Sequence, residues 1–169
     1  MALIITAAQI PKHTLKMDLK FTFEVARQTR KNTLYFLDGL DEDRINTIPE
    51  GFKNNIAWNL GHILITFQIL VYKNAGLEMN LPIEWIDRYK KGSFPAERIK
   101  FDEFEAIKEM FVPLIDKAEE DYEKGIFTHY NSYPTSYGIA LNRVEDVFQF
   151  IYAHEAFHWG VIVAMKKLV

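Results

Sequence analysis

The chain contains no cysteine. Disulfides and thiolate metal ligands are therefore excluded, and any bound metal must be held by imidazole, carboxylate or backbone oxygen. No apolar run approaches the roughly 20 residues that a spanning helix needs, so no membrane association is expected. A basic footprint is missing too. Lys and Arg number 20 against 23 Asp and Glu, the formal net charge is −3, and the cations are scattered. That distribution argues against nucleic-acid binding. No repeat, low-complexity tract or linker divides the sequence, so residues 1–169 are read as a single domain. Met1 to Ile10 is apolar but lacks a positive n-region and ends at Pro11 and Lys12. It is read as packing on the domain surface rather than as a signal peptide. With no disulfide to fix a redox compartment, cytoplasm is the default expectation.

What is present is an ordinary globular balance, 49% apolar and 25% charged, with 13 Phe, 8 Tyr and 3 Trp to fill a core and line pockets. Apolar residues recur at helical spacing in four segments. The first runs roughly from Lys16 to Leu40 and buries Leu19, Phe23, Ala26, Thr33, Leu37 and Leu40. The acidic stretch Asp41–Asp43 and Pro49-Glu50-Gly51 form its connection to the next. The second runs from about Asn54 to Asn74, with Trp58, His62, Ile65, Ile69 and Tyr72 in one stripe and Asn55, Asn59, His62 and Thr66 in an overlapping polar one. Ala75-Gly76 ends it. Leu77 to Lys100 is a long connection, read as a crossover or lid with room for short helical turns. The third helix runs from Phe101 to about Lys124, kinked or broken at Pro113. His129 to Leu141 is an irregular Tyr-rich loop with weak strand character. The last helix runs from about Asn142 to Leu168, with an inward stripe that includes Ile151, His154, His158, Ile162, Met165 and Leu168. The expected fold is all-α, a four-helix bundle with a long crossover connection between helices 2 and 3.

His154 and His158 stand four residues apart on the last helix, on one face and about 6 Å apart along the axis. Two inward imidazoles without partners would be costly, and one metal ion would satisfy both. His62, inward on the second helix, supplies a third ligand and leaves coordination positions open, as in catalytic sites. The alternative is a satisfied core histidine at position 62 and a fortuitous pair on the last helix. The literal string His154-Glu155-Ala156-Phe157-His158 matches the H-E-x-x-H signature of zinc proteases. Val161 stands where the extended form needs Gly, and no strand is expected that would present a peptide. Glu155 lies about 100° round the helix from His154, read first as a hydrogen-bond partner of a ligand histidine, otherwise as a bond to another helix or as a base.

The runs Asn55-Ile56-Ala57-Trp58-Asn59-Leu60-Gly61-His62-Ile63 and His154-Glu155-Ala156-Phe157-His158-Trp159-Gly160-Val161-Ile162, in this order, resemble the first and last motifs of the DinB-like superfamily. Tyr137-Gly138-Ile139-Ala140-Leu141-Asn142 is similar to that family's entry into its final helix. The resemblance runs from Leu19 to Lys167. It implies a metal-binding bundle with a long connection after its second helix, and a divalent ion on His62, His154 and His158. It also implies, for some members, thiol-dependent transfer or isomerisation with a low-molecular-weight thiol such as bacillithiol, mycothiol or glutathione.

Around these ligands, Asn59 and Thr66 either orient a substrate or water or bond locally, and Asn55 is read as a helix cap. Tyr133, Tyr137 and Tyr152 either supply a hydroxyl or pack. Glu155, Asn59 and Tyr152 are the catalytic candidates. Trp58 and Trp159 are read as walls, His13 and His129 as surface residues. Arg30, on an otherwise small and apolar face, is expected at the surface ahead of pairing with an internal acid. The leading function is a metal-dependent S-transferase that joins a small-molecule thiol to an electrophilic substrate. A hydrolase with a metal-bound hydroxide and a non-catalytic metal-binding bundle are the alternatives. Zinc or nickel is expected before iron, since imidazole suits all three. A homodimer is compatible with so small a bundle, and no residue demands one.

Overall fold

Spacings of three and four residues build α1 (Lys20–Leu37), whose buried face is Phe23, Ala26, Arg30, Thr33 and Leu37. The computed structural model describes residues 18–169, so Met1 to Ile10 and His13 lie outside the described residues. Arg30 is 0% exposed, which overturns the expectation of a surface position. Its guanidinium is held by the Glu155 carboxylate and the Phe111 carbonyl, between the rings of Phe67 and Phe111. Burial is tolerated because charge and donors are both matched.

Helix α1 stops at Leu37 rather than Leu40, and the acidic stretch after it forms a helix of its own, α2 (Glu42–Asn46). Asp41 caps it by accepting from the Arg44 N–H at 2.9 Å, and Glu42 and Asp43 sit where the helix dipole favours negative charge.

Helix α3 (Ile56–Val71) is capped by the Asn55 side chain, which accepts from the Trp58 N–H at 2.8 Å. All its residues except Thr66 and Ile69 are buried, so its sequence shows no clean stripe: α7, α5, α4 and α2 all pack on it. A 3-10 turn at Lys73–Ala75 and a left-handed Gly76 (φ +75°) end it.

The 77–100 connection is pinned along its length. Asn80 N–H donates to Gln68 Oε1 at 2.7 Å. Helix α4 (Glu84–Tyr89) follows and packs on α3. At its far end the Asn46 amide pairs with the Ile99 backbone, accepting at 2.9 Å and donating at 3.0 Å.

The expected third helix is two, α5 (Phe101–Phe111) and α6 (Pro113–Glu123). Pro113 has no N–H to continue the ladder, and Ile115 N–H turns to Val112 O at 2.9 Å. The Phe111 carbonyl is thereby released to Arg30. A short antiparallel ribbon follows, β1 (Tyr133–Pro134) paired with β2 (Ala140–Leu141).

Helix α7 (Val144–Lys166) buries Val144, Val147, Phe148, Ile151, Glu155, His158, Ile162 and Met165. Two corrections follow. Leu168 lies past the helix end and is exposed, and the centre of the inward stripe is Glu155, with His154 half-buried at its edge. Helix α7 packs on α3 and α1, and α1 also on α6. No helix among the described residues is long and apolar enough to cross a membrane.

Candidate metal centre

Helices α3 and α7 bring His62, His154 and His158 together, although the first is far from the other two in sequence. Ring centroids are 5.3 Å apart for His62–His154, 4.8 Å for His62–His158 and 4.7 Å for His154–His158. One nitrogen from each ring lies within 4.8 Å of the others, close enough for one ion to be shared after small ring rotations.

Two of the rings are oriented from behind. His62 Nδ1 donates to the Tyr89 carbonyl at 2.6 Å, which leaves Nε2 as the lone-pair donor. His158 Nδ1 donates to Asn59 Oδ1 at 2.8 Å, with the same consequence. Asn59 is itself held, since its amide donates to Asn55 O at 2.8 Å and to Asn54 Oδ1 at 3.0 Å. Gly61 makes the first of these contacts achievable: a Cβ there would fall 2.6 Å from the Tyr89 ring. Trp58 stacks on His62 with a 4.6 Å centroid separation and 9° between planes. The Thr66 hydroxyl lies 3.3 Å from His62 Nε2.

His154 Nδ1 is buried without a hydrogen-bond partner, the orphaned atom that a metal or a ligand would satisfy. Burial, and then the neighbouring imidazoles, push His154 down to about 4 and His158 down to about 3. Burial also lowers His62, partly offset by the Tyr89 carbonyl. All three rings are therefore neutral near pH 7 with lone pairs available. Neutral imidazoles without thiolate suit a divalent borderline ion such as zinc, nickel or iron, so the residues fit the expected group.

The histidines open on a pocket of about 400 Å³. Ile69, Leu70, Phe150 and Phe157 form its apolar wall, while Thr66, Lys91, Tyr133, Thr135, Ser136 and Tyr137 bring polar groups. Of these, sequence reasoning singled out Thr66, Tyr133 and Tyr137. It missed Lys91, Thr135 and Ser136, and it could not see the Tyr89 carbonyl, a backbone atom without side-chain identity.

Other candidates lie elsewhere. Glu155 does not line the pocket: Arg30 Nη2 donates to its Oε1 at 2.7 Å, instead of a ligand histidine. Tyr152 turns to α1, beside Thr22 and Ala26, without a well-formed hydrogen bond, and burial pushes its hydroxyl up to about 12. Trp159 packs on Phe36 with centroids 5.1 Å apart, so of the two tryptophans only Trp58 adjoins the histidines. His129 is exposed and meets Asn131 at 3.0 Å.

Comparison with curated proteins finds no match to the chain. The family model described as the DinB superfamily matches residues 26–162, from within α1 to within α7 and across all three histidines. The match takes in most of the sequence, and the chain belongs to the DinB superfamily.

Proposed function

We propose that the chain holds one divalent metal ion through His62, His154 and His158 and acts as a metal-dependent S-transferase on a small-molecule thiol. The observation that carries this reading is a set of three neutral, convergent imidazoles open to a pocket, with no fourth protein ligand among the described residues. A bound ion would act as a Lewis acid and lower the pKa of a thiol brought to it. The chain's own residues do the rest. Tyr89 and Asn59 fix the two outer-held rings so that their Nε2 atoms are offered together. The Ile69, Leu70 and Phe150 side chains give the pocket an apolar wall.

The position of Glu155 supports transfer over hydrolysis. The carboxylate that the H-E-x-x-H string offers as a base for attacking water is committed to Arg30. No other carboxylate lines the pocket among the described residues. A thiol, with its lower pKa, needs less help to ionise. We also infer that the chain is one domain and a four-helix bundle of α1, α3, the α5–α6 pair and α7, with 77–100 as its crossover.

The test is elemental analysis after loading with zinc or nickel, wild type beside His62→Ala, His154→Ala and His158→Ala. Near-stoichiometric metal in the wild type and loss in each variant is expected, together with thiol transfer to an electrophile by the wild type alone. Full metal occupancy in all three variants would sink the proposal.

A further inference from the structure

The charges of the pocket carry its ligand class. No Asp or Glu lines it among the described residues, and its one ammonium is Lys91. The preceding Lys90 is engaged by Asp87 at 2.5 Å, whereas Lys91 has no ion pair among the described residues. The turn that presents Lys91 is fixed. Ser93 N–H bonds Lys90 O at 3.1 Å, and Gly92 takes the left-handed step (φ +89°) that a side chain would resist. Ser93 Oγ accepts from the Trp58 indole N–H at 3.0 Å and lies 2.8 Å from the Arg88 and Lys90 carbonyls. Trp58 is the ring stacked on His62. One indole therefore ties the lysine's turn to a ligand histidine.

A divalent ion on three neutral imidazoles would keep its full charge, since no carboxylate offsets it, and would add to the positive field of Lys91. An acidic ligand is complementary to both, and the Ile69, Leu70, Phe150 and Phe157 wall asks for an apolar body. We propose that the pocket binds a small molecule with an apolar body and a carboxylate, that Lys91 pairs with the carboxylate, and that the Ser136 hydroxyl donates to it, the Thr135 hydroxyl being spent on the Ile139 carbonyl at 2.7 Å. This deepens the functional reading above and rests on it for the pocket's being a ligand site.

The test uses a matched pair of probes, 4-phenylbutanoate and 4-phenylbutanamide. Each is titrated by NMR into the full chain, both zinc-loaded and metal-stripped, as wild type, Lys91→Ala and Lys91→Arg. Lys91 is exposed, so neither substitution threatens the fold. In the stripped protein a preference for the acid can come only from the chain. About fivefold tighter binding of the acid by the wild type is expected, kept by Lys91→Arg and abolished by Lys91→Ala, as suits a partly exposed charge pair. Equal binding of the two probes by the stripped wild type, an acid preference that survives in stripped Lys91→Ala, or binding of neither probe would overturn it. Failure of the chain to hold zinc would count against the metal reading and leave the stripped-protein comparison intact.

Discussion

A histidine ring can serve a metal only if its second nitrogen is occupied correctly, and for His158 that task falls to Asn59 Oδ1, 2.8 Å away. Asn59→Leu removes the acceptor at similar size. It is expected to weaken zinc affinity by roughly 10- to 100-fold. Competition against a chelator measures it, and an Asn59→Leu protein with unchanged affinity would refute the orienting role. The same rings set a pH dependence in the metal-free chain. Unfolded histidines take up protons near their ordinary value of about 6.5, while His154 and His158 in the fold resist down to about 4 and about 3. Between these limits the unfolded state binds more protons, so stability falls as pH falls. Full stability is expected above about pH 6.5, with progressive loss down to about 4 and then 3. Chemical denaturation at stepped pH checks this, and a double His154→Ala, His158→Ala variant should show a flatter profile. Identical profiles would refute it. Spacing alone revealed the two helical histidines. It put a ligand-histidine contact ahead of the bond to another helix that Glu155 in fact makes, because the partner that claims this residue, Arg30, lies 125 positions away.

Elements are joined by that pair. Arg30 reaches Glu155 on α7 and the carbonyl that the break before Pro113 releases from α5, so one guanidinium holds α1, α5 and α7. Arg30 sat in the apolar stripe of α1 in plain view, but a lone cation in a stripe is as often a chain that reaches out to water. Removing one member of a buried pair leaves the other charge uncompensated. Arg30→Met is expected to destabilise by about 3–5 kcal/mol, while Arg30→Met with Glu155→Met recovers most of it. Urea denaturation of the two variants decides, and equal losses in both would show that packing around Phe67 and Phe111, not charge, is what the pair supplies. The same scale explains the other misreadings. Helix α3 is buried along its length except at Thr66 and Ile69, so its apolar residues mark no single inward stripe, and the Asp41–Asp43 run that looked like a turn is the cap and first turn of α2. Pro113 was legible because a missing N–H acts locally.

Over the whole molecule, the site exists only when distant parts of the chain meet: α3 gives His62, α7 gives His154 and His158, and the 77–100 segment gives the Tyr89 carbonyl. The unfolded chain keeps only the local pair four residues apart and so binds metal far less well. Binding must then stabilise the fold by mass action, about 2.7 kcal/mol at free metal 100-fold above Kd. For a chain of this size that corresponds to a rise in Tm of roughly 5–10 °C. Thermal unfolding with and without zinc or nickel measures it. His62→Ala should retain the local pair yet lose nearly all the shift, since its two remaining histidines are as available unfolded as folded. A wild-type Tm unmoved by saturating metal, or a full shift in His62→Ala, would mean that the three imidazoles do not act as one site across α3 and α7.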